Sequence, residues 1–123
     1  MAKRLTHYAA NAVGNWMRGT TPPPVSNLSV RIYSVAPTVD GGGTQYPGSS
    51  DVPVTLEEFV ASTSENTNTL TYSSLSAGTI AAVALVDGVE DICLWFDDGL
   101  SITVAAGENK VVQVGDLDVA FVA

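Results

Sequence analysis

The chain has 123 residues, of which 46% are hydrophobic, with five basic and thirteen acidic side chains and a formal net charge of -8 at pH 7. A domain of this length buries about two thirds of the surface of its unfolded chain, so it can form its own core. The negative charge repels nucleic acid phosphates and anionic lipids, which argues against nucleic acid and membrane as partners. The single cysteine cannot form an internal disulfide. Together with the single histidine it cannot supply the four ligands of a zinc site unless carboxylates contribute.

The basic residues are concentrated at the start of the chain. Segment 1–39 contains no acidic residue and four basic ones, Lys3, Arg4, Arg18 and Arg31. It therefore carries a charge of +4, whereas segment 40–123 combines one lysine with thirteen acidic residues for a net charge of -12. Such asymmetry is typical of a protein that binds an acidic partner through one end and exposes the rest to water.

No part of the sequence predicts insertion into a membrane or secretion. No run approaches the roughly eighteen consecutive apolar residues that a membrane-spanning helix needs. Polar residues interrupt the stretch that follows the basic start, so this stretch does not resemble a signal peptide. We therefore expect synthesis in the cytoplasm.

The spacing of apolar residues predicts one helix, over residues 3–18. Apolar side chains recur there at intervals of three and four and form one stripe, made of Leu5, Tyr8, Ala9, Ala12, Val13 and Trp16. Gly19 and the three prolines at 22–24 predict the end of the helix and a stiff, extended connector after it. A helix of about four turns is marginal alone in water, so this one must pack on its own domain or on another chain.

Beyond the prolines, the pattern changes to short strands separated by turns. Alternation predicts a first strand of about eight residues that contains Leu28, Val30, Ile32 and Val35. The glycine-rich segment 40–50 is predicted to be a mobile surface loop, and segment 61–69 a polar loop. Segment 52–60 is compatible with either a strand or a helical turn.

The C-terminal half contains six apolar runs of strand length, at residues 70–75, 79–86, 92–96, 100–105, 110–114 and 117–122. Asp-Gly and similar pairs separate them and favour hairpin turns, because glycine accepts a positive φ. The run Ile80 to Val86 is almost wholly apolar, which predicts a strand buried on both faces. We therefore predict a mainly β fold, an antiparallel β-sandwich or Greek-key barrel preceded by one N-terminal α-helix. The helix and its connector would occupy residues 1–24, and the β-sandwich domain residues 25–123.

The residue types that most often carry chemistry are few and isolated. His7 has no acidic residue close to it in the sequence, so we expect a structural or surface histidine. Cys93 lies in a strand without basic neighbours, so we expect an inert, buried thiol. The carboxylates lack the spacing of a calcium loop, and Gly41-Gly42-Gly43 lacks the lysine and helix start of a phosphate loop. We expect no catalytic residue, no bound metal and no cofactor.

Several short motifs occur in an order that resembles a known family. They are Tyr8-Ala9-Ala10-Asn11-Ala12-Val13, Ser34-Val35-Ala36-Pro37 before the glycine-rich loop, Asn66-Thr67-Asn68-Thr69, the run from Ala77 to Asp87, and the run from Ile102 to Glu108. Over nearly the whole chain, this order is similar to that of small virion proteins of tailed bacteriophages, of the tail fibre or head decoration type. The resemblance implies a helix followed by a β-sandwich that assembles symmetrically on the virion and has no catalytic residues.

We therefore predict a non-enzymatic virion protein, a capsid decoration or cement protein that stabilises the head as a symmetric oligomer. Its expected partners are the major capsid protein or another virion protein, and further copies of itself in a homotrimer. The expected docking interface consists of Lys3, Arg4, Leu5, Tyr8, Trp16 and Arg18.

Two alternatives remain open at this point. The first is a tail fibre or baseplate component that contacts the host surface. The second is a carbohydrate-binding module that uses Trp95 and the turns near Asp97 and Asp98. Trp95 and Phe96 are adjacent in a predicted strand and point to opposite faces, so we expect one of them in the core and Trp95 as a candidate exposed interface anchor.

Overall fold

The computed structural model describes residues 3–121. The chain is mainly β, with 46% strand and 9% helix, and the described part has antiparallel sheets and one α-helix near the N-terminus. The elements in chain order are β1 (Lys3–Leu5), α1 (His7–Met17), β2 (Leu28–Val35), β3 (Thr44–Gln45), β4 (Val52–Pro53), β5 (Thr63–Glu65), β6 (Leu70–Leu75), β7 (Gly78–Ile80), β8 (Ala82–Asp87), β9 (Ile92–Asp97), β10 (Ile102–Val104), β11 (Glu108–Val112) and β12 (Asp118–Ala120). This architecture confirms the predicted fold class.

The larger sheet has six strands in the order β1-β9-β8-β2-β3, with β4 also paired to β2. Its central ladder pairs β2 with β8 in antiparallel register, from Leu28 opposite Asp87 to Tyr33 opposite Ala82. Strand β2 has the predicted position and length, because its alternating apolar residues face a core and a turn-rich segment follows it.

A second layer consists of three two-stranded antiparallel ladders, β7 with β10, β6 with β11 and β5 with β12. The main core joins this layer to the larger sheet. It contains Val30, Ile32, Leu85 and Trp95 from the sheet together with Leu70, Tyr72, Leu75, Ile80, Val104 and Val119 from the ladders. Two β layers around one apolar core form a sandwich.

The opposite face of the larger sheet carries a smaller apolar cluster. Its buried members are Tyr33, Ala82, Ala84, Val86 and Phe96, with Ala36, Val39 and Cys93 packed against them. Strand β8 therefore contributes to both clusters, which confirms the prediction that the apolar run 80–86 is buried on both faces.

The N-terminal segment differs from its prediction. Residues Lys3–Leu5 form an edge strand that pairs with β9, with Leu5 opposite Trp95, and only His7–Met17 are helical. Thr6 separates the two elements: its Oγ1 accepts a hydrogen bond from the Ala9 amide as the N-cap and donates one to the Cys93 carbonyl. The predicted helix over 3–18 therefore begins too early, and the N-terminal segment is part of the larger sheet.

Both predicted loops are more ordered than expected. In segment 40–50, Tyr46 is buried in the main core and its hydroxyl donates to the Ser76 carbonyl. In segment 61–69, Thr63–Glu65 form β5, and the preceding turn places Ala61 and Ser62 at φ angles of 52° and 67°. Positive φ at both central residues is the geometry of a tight hairpin turn. The sequence did not predict this turn, because neither residue is glycine or asparagine.

Candidate assembly surface

The most unusual feature of the described structure is the exposure of helix α1. None of the residues of this helix is buried, although it packs on β1 and β9. Its large apolar side chains remain open to solvent, with exposed fractions of 49% for Tyr8, 63% for Trp16 and 75% for Met17. A helix of 11 residues depends on packing for its stability, and this exposed apolar surface is available for contact with a partner.

An apolar groove of about 300 Å³ runs beside the helix. Tyr8, Ala9, Ala12 and Val13 line one part of it, and the prolines at 22–24 line another. Phe59 and Phe121 also line the groove, and their rings stack with centroids 4.7 Å apart. Strand residues Leu5, Leu28, Leu94 and Trp95 also reach the groove.

Five of the exposed large apolar side chains line this groove. Tyr8, Val13, Val25, Phe59 and Phe121 all line it, and each is between 38% and 49% exposed. Trp16 and Met17 lie outside it, at the C-terminal end of α1. We call this whole set of side chains the assembly surface, because contiguous apolar patches on a protein surface mark sites of interaction.

The predicted docking residues do not all belong to this surface. Leu5 and Tyr8 line the groove, and Trp16 and Arg18 lie together at the end of α1. Lys3 is occupied by an ion pair with Asp118, at 3.1 Å. Arg4 is exposed and lies opposite Phe96 of the smaller cluster, whereas Leu5 lies opposite Trp95 of the main core.

The structure does not place Arg4 beside Leu5 in a single patch. The sequence prediction treated residues 3–18 as one helix, whereas in strand β1 consecutive side chains point to opposite faces. This alternation places Arg4 on the other side of the larger sheet from Leu5 and the groove.

The prediction that Trp95 is an exposed anchor is also wrong. Trp95 is 1% exposed, and its Nε1 donates to the Ala120 carbonyl over 3.0 Å. Phe96 on the other face of β9 is equally buried. Both faces of β9 are covered, because Trp95 packs in the main core and Phe96 in the smaller cluster. A buried indole cannot stack on a sugar ring, which removes the residue on which a carbohydrate-binding function depended.

Four apolar members of the assembly surface escaped the sequence analysis: Met17, Val25, Phe59 and Phe121. Phe59 and Phe121 belong to segments 62 residues apart, and no periodic pattern connects them. The one local signal is that Phe59 follows two glutamates outside any regular strand. An apolar ring in so polar a setting often has a partner elsewhere.

A second, polar cavity of about 580 Å³ lies on the other face of the larger sheet. His7 and Asp40 meet at its rim, with Nδ1 2.8 Å from Oδ1. His7 is exposed, in line with the expected surface histidine, and the loop after β2 brings it an acidic partner, Asp40, from 33 residues away. Both side chains are more than 60% exposed, so this pair contributes little to stability.

The potential nucleophiles of the polar cavity are not activated. Burial raises the pKa of the Cys93 thiol and of the Tyr33 hydroxyl, so both groups are protonated at neutral pH. Arg31, which also lines the cavity, is held by Asp51 and Asp91 at 2.8 Å and 2.7 Å. The cavity is therefore lined by an arginine that is already paired and by a thiol and a hydroxyl that stay protonated, which favours a structural role for the cavity.

Among residues 3–121, no three His, Cys, Asp or Glu side chains are grouped so that they could hold a metal ion. The helix in that range is too short to cross a membrane.

No protein-family model matches the chain, and no curated protein is significantly similar to it. The assignment of a function therefore depends on the assembly surface itself.

Proposed function

We propose that this chain is a non-enzymatic structural subunit of a bacteriophage virion, a capsid decoration or cement protein that acts as a symmetric oligomer. The observation that carries the proposal is helix α1, which has no buried residue and exposes Tyr8, Trp16 and Met17 next to an apolar groove. Burial of this surface between subunits would stabilise each copy and the particle together.

The charges support attachment to an acidic neighbour. Lys3, Arg31 and Lys110 are each paired with a carboxylate of the same chain. Among residues 3–121, this leaves Arg4 and Arg18 as the basic side chains without a carboxylate partner. Arg4, on the other face of the larger sheet from the groove, is available to an acidic capsid surface, while the remaining acidic surface faces water.

Gold labelling of intact virions with an antibody against the purified protein tests the proposed location. We expect label over the head. Label confined to the tail would replace the decoration role with that of a fibre or baseplate component. Particles without label over either part would overturn the virion assignment.

Occupancy on capsids tests the docking charge. We expect Arg4→Glu to bind capsids at least about tenfold more weakly than the unmodified protein. Lys110→Glu is the matched control, because it makes the same charge change at a basic residue that already has a partner, Glu108. Equal occupancy of Arg4→Glu and the control would contradict docking through Arg4.

A further inference from the structure

Trp16 and Met17 form an exposed apolar end of helix α1, which we call the projection. Met17 is the most exposed large apolar side chain of the described chain, at 75%, and Trp16, at 63%, is the most exposed aromatic one. The helix ends directly after them, where Gly19 adopts a φ of 95° and the prolines follow. A rigid aromatic side chain at such a position loses little entropy on burial, which suits it as an anchor.

The groove offers a cavity of matching size and polarity. Its volume of about 300 Å³ is at the lower end of the range of about 300–1,000 Å³ for pockets that take small molecules. A space of this size suits one or two side chains. The stacked pair of Phe59 and Phe121 in its lining provides an aromatic surface for an incoming indole.

The charges next to the projection and next to the groove are opposite. Arg18 follows Trp16 and Met17, and within residues 3–121 its side chain has a polar contact with Asn15 only, over 3.4 Å. Glu57 and Glu58 immediately precede Phe59 of the groove, and both are exposed. The basic residue at the projection and the two acidic residues beside Phe59 thus have opposite charges, which favours contact between them.

The projection cannot enter the groove of its own chain. Helix α1 lines that groove with Tyr8, Ala9, Ala12 and Val13, whereas Trp16 lies outside it. A contact between two different surfaces of identical chains is heterologous, and it closes into a ring when the rotation between neighbours allows it.

We propose that the Trp16–Met17 end of helix α1 in one copy inserts into the groove of the next copy, with Arg18 facing Glu57 and Glu58. The occupant of the groove is thus a second copy of this chain. The inference deepens the proposed function, which requires an oligomer, and rests on it for the biological setting alone.

The oligomeric mass of the purified protein in solution tests this contact. We expect a multiple of the 12.8 kDa chain mass for the unmodified protein and at least about tenfold weaker association for Trp16→Ser. Val89→Ser is the matched control, since Val89 is also exposed, at 65%, and lies outside the groove. A monomeric unmodified protein, or an unchanged mass for Trp16→Ser, would overturn the proposal.

Mixing two complementary variants identifies the surfaces in contact. Trp16→Ser removes the projection, and Ala12→Trp fills the groove with a side chain from its own helix. Each variant alone should be monomeric, whereas their mixture should form 1:1 dimers, because one variant retains the projection and the other an open groove. A mixture that stays monomeric would contradict insertion into the groove.

Charge exchange provides a test with exposed positions only, where folding is not at risk. Arg18→Glu and Glu58→Arg should each weaken association, and the chain that carries both changes should recover most of it. Failure of the double change to recover association would contradict the placement of Arg18 against Glu58. These masses are measured without virions, so this contact and the virion location can fail independently.

Discussion

Arg31 of strand β2 and Asp51 form a two-point ion pair. Arg31 Nε donates to one carboxylate oxygen and Nη2 to the other, each over 2.8 Å, and the two side chains are only 17% and 20% exposed. Nη2 also lies 2.7 Å from Asp91 Oδ1, in the turn between β8 and β9. One guanidinium thus connects β2 to two separate segments, including a turn in which Asp91 has a φ of 56°.

Replacement of Arg31 by Met should destabilise the fold by about 2–3 kcal/mol, because it leaves Asp51 partly buried without a partner and Asp91 unpaired nearby. Urea unfolding at fixed protein concentration measures the change. Lys110→Met removes an ion pair that is more exposed and should cost less than about 1 kcal/mol. Equal losses for the two variants would mean that the Arg31 pair contributes no more than a surface contact.

The side chain of Asn66 takes the place of strand pairing for three backbone groups. The stability of the fold should be as sensitive to its replacement as to the replacement of Arg31. Asn66 is fully buried, its Nδ2 donates to the carbonyls of Asn68 and Gln113, and its Oδ1 accepts from the Leu117 amide. Asn66→Ala leaves these three backbone groups without partners and should cost about 2–4 kcal/mol of the free energy of unfolding. Thermal and urea unfolding give the value. The same change at exposed Asn11 is the control and should be nearly neutral.

Asp87 should make the stability depend on pH. Its carboxylate accepts from the amide of Ser26 and from those of Val89 and Glu90, and these hydrogen bonds lower the pKa of Asp87. A carboxylate with a lowered folded pKa stabilises the fold above its unfolded pKa of about 3.9, and the contribution is lost as the pH falls through the folded pKa.

The Asp87→Asn variant should therefore be less stable than the unmodified protein at pH 7, and the difference should shrink steadily below about pH 4. Urea unfolding at a series of pH values measures it. A gap that is constant with pH would show that the charge of Asp87 has no part in holding the turns at 26–27 and 88–90.

The sequence predicts the elements whose signals are local. Strand β2 alternates apolar and polar residues, and the C-terminal strands are separated by Asp-Gly and related turns, so their positions follow from short stretches of chain. Strand β1 is invisible to such patterns. Lys3–Leu5 become a strand only because they pair with β9, about 90 residues later, and no local pattern in the sequence predicts that pairing.

The same distinction applies to the assembly surface. The apolar stripe of α1 was visible as a periodic pattern, and it predicted that the helix needs a neighbour. The groove beside it was not visible, because Phe59 and Phe121 come together only after the two layers of the sandwich have packed. Local patterns therefore predicted the projection but not the groove.

The two tryptophans of the chain allow the proposed contact to be observed directly. Trp95→Phe leaves Trp16 as the sole indole and loses one hydrogen bond, to Ala120, at a cost of about 1 kcal/mol. Because Trp16 is 63% exposed in the single chain, acrylamide should quench its fluorescence strongly at low protein concentration. The quenching should decrease as the concentration rises through the range in which the mass increases.

Trp16→Phe is the converse variant, and it leaves the buried Trp95 as the reporter. Acrylamide should quench its emission only weakly at every protein concentration, because Trp95 is buried by its own chain and is only 1% exposed. This contrast separates burial by folding from burial by assembly. If Trp16 in the Trp95→Phe variant stayed fully quenchable while the mass rose, the copies would associate through a surface that does not include the end of helix α1.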